Sequence, residues 1–238
     1  MDIIKIDSKR TRLISDGGCG YLESDNSYAA FLASCNRMYY GIKCDIRFTI
    51  DRVIVTSRYR DLRKMANEKI HISLSKYEDL KKIRFGENDL SSVVSLKTFM
   101  SLCNRYHKFA CLELHPPIGR LEIEQLINEI ESLNMINFTK IISNDMKYLK
   151  QIRKLNLHIK LEIRAKEYSD QLFFDAIKYH IDISLPVNKL STDFIGLCHD
   201  NRIKCGTYNI NDPVGALLLS DMQLDYIYTV GLEEYKPN

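Results

Sequence analysis

Strand-like and helix-like segments alternate regularly along the second half of the chain. This alternation is typical of parallel sheets, and eight strand–helix units in 238 residues fit a closed barrel. We therefore predict an α/β fold, a single (β/α)₈ TIM-barrel domain spanning residues 1–238, with an open doubly wound sheet as the alternative. The predicted strands are 12–15, 42–48, 110–114, 139–143, 158–163, 181–185, 203–208 and 226–229. The helices predicted between the last six are 121–133, 146–155, 169–179, 192–201 and 213–220.

Charge and cysteine content narrow the expected partners and location. The net charge of +3 comes from 34 basic and 31 acidic residues spread along the chain, so we expect no nucleic-acid partner. Seven cysteines without a CxxC pair are typical of a reduced, cytoplasmic protein. No segment approaches the ~20 apolar residues of a membrane span, so we expect no transmembrane segment.

The predicted strand 42–48 carries charge on one face. Lys43 and Asp45 lie two residues apart, and alternate residues of a strand point to the same side. A charge pair inside an otherwise apolar strand needs partners. Because sites in barrels lie at the carboxyl ends of strands, we expect Asp16, Arg58 and Glu113 to converge on the same region.

Short motifs in a fixed order lead from these strand ends to a known family. They are Ile14-Ser15-Asp16-Gly17-Gly18, Ser24-Asp25-Asn26-Ser27, Lys43-Cys44-Asp45-Ile46, Thr49-Ile50-Asp51, Leu112-Glu113-Leu114-His115 and Tyr208-Asn209-Ile210-Asn211-Asp212-Pro213. The series resembles the glycerophosphodiester phosphodiesterases, which are metal-dependent TIM-barrel enzymes. The resemblance covers most of the chain.

The resemblance implies that the catalytic positions are substituted. Asp16 and Arg58 stand where the family has its two catalytic histidines, and Arg58 stays protonated near neutral pH. Lys43 replaces the first metal-ligand glutamate, which leaves Asp45 and Glu113 as a weak or lost metal site. We expect no cofactor beyond weak Mg²⁺ or Ca²⁺. Our hypothesis is that Lys43 serves as a permanent internal counter-ion in place of the cation.

The expected function is that of a catalytically degenerate family member, a pseudoenzyme, with a polar ligand pocket at the carboxyl face of the barrel. Lys43, His115 and Tyr208 would contact a small phosphate or polyol ligand, with His115 at the position of the family's phosphate-binding lysine.

Three alternatives stay open. In the first, the chain is an active phosphodiesterase of lipid head-group metabolism, with metal on Asp45 and Glu113 and Asp16 as a substitute base. In the second, it is an enzyme of different chemistry on the same barrel. In the third, the charged residues form an internal salt-bridge cluster without a ligand. The sequence leaves the oligomeric state open.

Overall fold

The computed structural model describes residues 3–85 and 91–235. In chain order its strands are β1 (Ile4–Ile6), β2 (Arg12–Asp16), β3 (Gly41–Phe48), β4 (Ile54–Thr56), β5 (Phe109–Leu114), β6 (Thr139–Ser143), β7 (Lys160–Arg164), β8 (Asp182–Ser184), β9 (Cys205–Tyr208), β10 (Tyr226–Thr229) and β11 (Leu232–Glu234). Eight of these, β2, β3 and β5–β10, form one parallel sheet, and β2 contacts both β3 and β10, which closes that sheet. The predicted (β/α)₈ barrel is confirmed, and the open sheet was the wrong alternative.

Helices surround this barrel. They are α1 (Tyr28–Cys35), α2 (Arg63–Ala66), α3 (Tyr77–Leu80), α4 (Leu96–Arg105), α5 (Arg120–Ser132), α6 (Met146–Leu155), α7 (Asp170–Tyr179), α8 (Thr192–Asp200) and α9 (Pro213–Asp221). Serine side chains accept a hydrogen bond from the first turn of α1, α4, α7 and α8, which defines where these helices begin. None of the helices in the described ranges is long and apolar enough to cross a membrane.

One excursion from the barrel pattern covers the carboxyl end of β3. Strand β4 runs antiparallel to β3, with Ile46 opposite Thr56, and the Ser57 amide donates to the Asp45 carbonyl at 2.8 Å. The segment that follows packs a small apolar core of its own around Leu62, Ile72 and Leu80. This packing places Arg58 over the mouth of the barrel.

A second, two-stranded sheet lies outside the barrel. Strands β1 and β11 pair in parallel, with Ile4 opposite Leu232 and Ile6 opposite Glu234. The sequence pattern predicts neither strand, because three residues are too few to show an alternation. This sheet joins the two ends of the described chain.

The interior of the barrel contains a buried ionic network, here called the interior cluster. Lys140 Nζ lies 2.8 Å from Glu162 Oε2 and 2.9 Å from Asp182 Oδ2. The Glu162 carboxylate also accepts hydrogen bonds from the hydroxyls of Tyr228 and Ser184, both at 2.7 Å. Burial opposes the charge on Lys140, but the two carboxylates outweigh it and hold its pKa well above the ordinary value.

Removal of the interior ammonium should strongly destabilise the fold. In Lys140→Met two carboxylates, of which Glu162 is fully buried, lose their counter-ion. We expect the free energy of unfolding at pH 7 to fall by about 3–5 kcal/mol. Urea unfolding of the variant beside Lys147→Met is the measurement.

Lys147 is the matched control for this substitution, because its side chain is 63% exposed and pairs with Asp145 at the surface. Its loss should change the free energy of unfolding by at most about 1 kcal/mol. Equal effects of the two substitutions would contradict a structural role for the interior cluster.

Candidate functional site

Register places the charged residues of three adjacent strands side by side at the carboxyl end of the barrel. Strand β3 lies between β2 and β5, with Asp16 of β2 opposite Lys43 and Glu113 of β5 opposite Asp45. Because side chains alternate along a strand, Lys43 and Asp45 both point into the barrel. The strand ends therefore present three carboxylates around one ammonium.

Lys43 is the centre of this arrangement and is fully buried. Its Nζ atom lies 3.0 Å from Asp16 Oδ1 and 2.8 Å from Asp45 Oδ1. The third carboxylate, that of Glu113, approaches to 2.7 Å through Oε2. All three distances are those of charge-assisted hydrogen bonds. The ammonium thus has three anionic partners, which matches its three donors.

Two guanidinium groups complete the charge balance. Arg58 Nη2 lies 3.2 Å from Asp16 Oδ1, and its Nε lies 3.4 Å from Asp45 Oδ2. Arg164, at the end of β7, contacts Glu113 Oε2 at 2.9 Å through Nη1. Three cations therefore face three carboxylates. We call these six residues the mouth cluster, and its formal charge is zero: Asp16, Lys43, Asp45, Arg58, Glu113 and Arg164.

The sequence motifs gave Arg164 no role, although it ends a strand at the predicted face. Its guanidinium lies 4.8 Å from the ring centroid of Tyr208 and 4.7 Å from that of Tyr228. Stacking on two aromatic rings holds a cation in a fixed position. The alternation of Glu162 and Arg164 in β7 was the available signal, since it repeats the pattern of Lys43 and Asp45.

Asn26 is a second residue without a predicted role. Its side chain forms two hydrogen bonds with Asp45: Nδ2 donates to Oδ2 at 2.9 Å, and Oδ1 accepts from the backbone amide at 2.8 Å. The chain reaches this point through Gly17 and Gly18, whose φ angles are +75° and +86°. A Cβ on Gly18 would lie 2.7 Å from the Ala30 backbone, so only glycine fits there.

The two remaining predicted ligand contacts border the mouth cluster. His115 Nε2 lies 2.6 Å from Asp45 Oδ1, and 23% of its side chain is exposed. Tyr208 is half-buried, and its hydroxyl donates to the Ala165 carbonyl at 3.3 Å. The stacked Arg164 contacts the ring face that the sequence predicted as a ligand surface.

Mutual attraction keeps the mouth cluster ionised despite burial. Burial alone would raise the pKa of Asp16 and Asp45, but Lys43 and the guanidinium groups lower both, that of Asp45 to well below its usual value. The same carboxylates raise the pKa of Lys43 and Arg58 against the effect of burial. Each charged group is therefore stabilised by the others.

A divalent cation does not fit this arrangement of charges. The ligand atoms of Asp45, Glu113 and His115 lie within 4.8 Å of one another, which is a spacing that a metal ion can bridge. The Lys43 ammonium, however, lies within hydrogen-bonding distance of the Asp45 and Glu113 carboxylates. An ion held at about 2.0–2.6 Å from the same oxygens would meet a fixed positive charge.

A cleft of about 210 Å³ opens beside the exposed edge of Arg58. Its lining comes from the segment before α1 and from the excursion after β4: Ser24, Asp25, Asn26, Arg58, Tyr59, Lys64 and Met65. Burial raises the pKa of Asp25, and Arg58 opposes this effect. The cleft therefore joins solvent to the mouth cluster through Arg58, whose side chain is 41% exposed.

Comparison with known proteins gives a clear result at the level of structure. No protein-family model matches the sequence, and no curated protein matches it. A phosphodiesterase from Oleispira antarctica, solved in complex with the product sn-glycerol-3-phosphate, superposes with a TM-score of 0.86 at 15% identity over 94% of both chains.

Two further solved structures agree. A glycerophosphodiester phosphodiesterase from Thermotoga maritima has a TM-score of 0.79 at 16% identity, over 93% of this chain and 95% of its own. One from Parabacteroides distasonis has a TM-score of 0.79 at 17% identity, over 93% of both chains. The chain therefore has the fold of the glycerophosphodiester phosphodiesterases, as the resemblance of its motifs predicted.

Proposed function

We propose that this protein is a catalytically degenerate relative of the glycerophosphodiester phosphodiesterases that binds a small ligand without hydrolysing it. The observation that carries the proposal is the fully buried Lys43 ammonium, which is held by three carboxylates at 2.7–3.0 Å. Lys43 stands where the family resemblance places a metal-ligand glutamate. The ammonium then takes the place of the divalent cation as an internal counter-ion.

General acid and base groups are also missing from the positions of the family histidines. Arg58 keeps its proton, and its contacts with Asp16 and Asp45 raise its pKa further. Asp16 has a lowered pKa and is engaged by both Lys43 and Arg58. A carboxylate stabilised in this way is a weak base. Phosphodiester hydrolysis needs a base for the nucleophile and an acid for the leaving alkoxide, and this pair supplies neither.

The proposed ligand is a small phosphate or polyol bound at the cleft beside Arg58. Arg58 and Lys64 contribute cationic donors to that cleft, and His115 contributes a partly exposed imidazole nearby. The complex of the Oleispira antarctica phosphodiesterase with sn-glycerol-3-phosphate supports a ligand of this size and charge. We place the protein in the cytoplasm, since its seven cysteines are buried and free.

An active metal-dependent phosphodiesterase of lipid head-group metabolism is the second candidate. The spacing of Asp45, Glu113 and His115 favours it, because these ligand atoms lie within 4.8 Å of one another. Such an enzyme would have to displace the Lys43 ammonium before it could bind the cation. Metal binding therefore separates the two candidates.

Neutralising Lys43 should create a cation site that the natural protein lacks. In Lys43→Gln three carboxylates face only two guanidinium groups, so the site carries a net negative charge. We expect titration calorimetry to detect saturable Ca²⁺ or Mg²⁺ binding by Lys43→Gln and none by the natural protein. Lys147→Gln, at a surface pair, is the matched control and should bind no cation.

The same natural protein should release no glycerol phosphate from glycerophosphocholine in the presence of either cation. Tight binding of a cation together with turnover that disappears in Asp45→Ala would overturn the proposal and establish the enzyme.

The mouth cluster should determine the pH dependence of stability. Lowered pKa values of Asp16 and Asp45 give stability that is present above about pH 4 and is lost as the pH falls further. The raised pKa of Lys43 gives stability that is present below about pH 10.5 and is lost above it. We expect the free energy of unfolding, measured with urea, to vary little between these limits.

Lys43→Met should reverse the sign of this dependence on the acid side. Without the ammonium, the carboxylates of the mouth cluster repel one another. Protonation of a carboxylate reduces this repulsion and stabilises the variant. We expect a loss of about 3–5 kcal/mol at pH 7 that becomes smaller at pH 5. A loss that is the same at both pH values would argue against an ionised cluster.

Loss of the Arg58 guanidinium should weaken ligand binding. We expect sn-glycerol-3-phosphate to raise the melting temperature of the natural protein, and Arg58→Ala to reduce affinity by roughly tenfold or more, since charge-assisted hydrogen bonds are lost. Arg10→Ala is the matched control, because exposed Arg10 precedes β2 at the opposite end of the barrel. No shift with this ligand, with other head-group phosphates or with polyols would refute a ligand at the cleft.

A further inference from the structure

A second, larger groove lies beside the mouth cluster, and of its lining residues only His115 enters the proposed function. Its volume is about 850 Å³, against about 210 Å³ for the cleft at Arg58. It is bordered by the end of β3 and its turn to β4, by the excursion after β4, and by the loop between β5 and α5. We call it the arginine groove after the cationic and imidazole side chains that line it: Arg47, Arg52, Arg60, His71 and His115.

The three arginines of this groove lack anionic partners. Among residues 3–85 and 91–235, no carboxylate forms an ion pair with the guanidinium of Arg47, Arg52 or Arg60. Four arginines elsewhere in the described chain do pair with carboxylates: Arg58, Arg63, Arg120 and Arg164. Three unpaired guanidinium groups around one concave surface produce a positive potential.

Arg47 shows that this positive charge is partly buried. Its Nη2 atom donates to the Arg58 carbonyl at 2.7 Å, whereas its Nε atom is buried and has no hydrogen-bond partner in the described chain. Burial lowers the pKa of Arg47, and the charge on nearby Arg60 lowers it further, against the attraction of Asp45. A buried donor without an acceptor is unfavourable, and an anion would supply the acceptor and also offset the two neighbouring positive charges.

Glu122, the one carboxylate among the described residues of the lining, does not supply that anion. Glu122 lies at the start of α5, where its Oε2 atom accepts a hydrogen bond from the Gly119 amide at 3.1 Å. This contact directs the carboxylate to the helix N-terminus, where a negative charge is favoured in its own right. The excess of positive charge in the groove therefore remains.

We propose that the arginine groove binds a small molecule that carries more than one phosphate group. Guanidinium groups pair with phosphate oxygens through two parallel hydrogen bonds, which makes arginine the preferred partner of phosphate. The arginines come from three segments, the end of β3, its turn to β4 and the excursion, so they surround a ligand rather than a single oxygen. The volume exceeds the needs of one phosphate and lies in the range of small-molecule sites.

This site is separate from the mouth cluster, although the two share a border. His115 lines the groove and also contacts Asp45 at 2.6 Å, and Arg47 contacts the backbone of Arg58. The Arg58 side chain, in contrast, lines the smaller cleft and not the groove. Arg58→Ala therefore tests the first site alone.

Titration calorimetry with tripolyphosphate and with inorganic phosphate, at a fixed ionic strength of about 0.15 M, tests the proposal. We expect the natural protein to bind tripolyphosphate at least tenfold more tightly than inorganic phosphate. Arg60→Ala and Arg52→Ala should each weaken tripolyphosphate binding by roughly tenfold or more. Both side chains are exposed, so these variants should keep their melting temperatures.

Two controls separate this site from general attraction and from the proposed function. Arg10→Ala removes an exposed cation at the opposite end of the barrel and should leave tripolyphosphate binding unchanged. Arg58→Ala removes the guanidinium of the cleft, and in this background Arg60→Ala should still weaken tripolyphosphate binding by roughly tenfold or more. Absence of tripolyphosphate binding by the natural protein would refute the proposal. Equal weakening in Arg10→Ala and Arg60→Ala would also refute it, because it would show binding by net charge alone.

A vesicle-binding experiment identifies the source of the phosphate groups. Binding to vesicles that contain phosphatidylinositol 4,5-bisphosphate, with the same dependence on Arg60 and none to phosphatidylcholine alone, would assign the groove to a lipid head group. Tripolyphosphate binding without vesicle binding would assign it to a soluble ligand. Either result supports a site for clustered phosphates.

Discussion

Ion pairing around Lys43 is the interaction on which the mouth of the barrel depends. Three parallel strands end there with carboxylates that point inward. Negative charges on adjacent strands repel one another strongly in a medium of low polarity. In the structure a buried ammonium compensates them from within the same sheet, at 2.7–3.0 Å from each. With Arg58 and Arg164, the cluster reaches neutrality from the residues of the chain itself.

Two patterns in the sequence were enough to predict the fold and the first ion pair of the site. The alternation of strands with helices predicted the barrel. The bounds of β6, α6 and β10 agree with the sequence pattern to the residue. The alternation of side chains along a strand placed Lys43 and Asp45 on one side of β3. The register between strands determines which other strands add residues to the site. For Glu113, the family resemblance supplied this information.

The residues without a predicted site role were missed for the same physical reason. Arg164 and Lys140 each follow the alternation of an inward-facing strand residue, yet a single strand does not reveal which charge lies opposite across a closed barrel. Asn26 reaches Asp45 only because two glycines with positive φ turn the chain at the end of β2. Distances across the barrel, rather than periodicity along the chain, determine these contacts.

The interior cluster shows what distinguishes the mouth cluster. Lys140 with Glu162 and Asp182 repeats the arrangement around Lys43, a buried ammonium held by carboxylates of the barrel strands. Lys140 lines neither the cleft nor the arginine groove. An ammonium held by carboxylates is therefore a structural solution that this barrel uses twice. What sets the mouth apart is its border, where Arg58 and His115 remain partly exposed. A function for the mouth must come from these border residues, because Lys43 is already satisfied by its three partners.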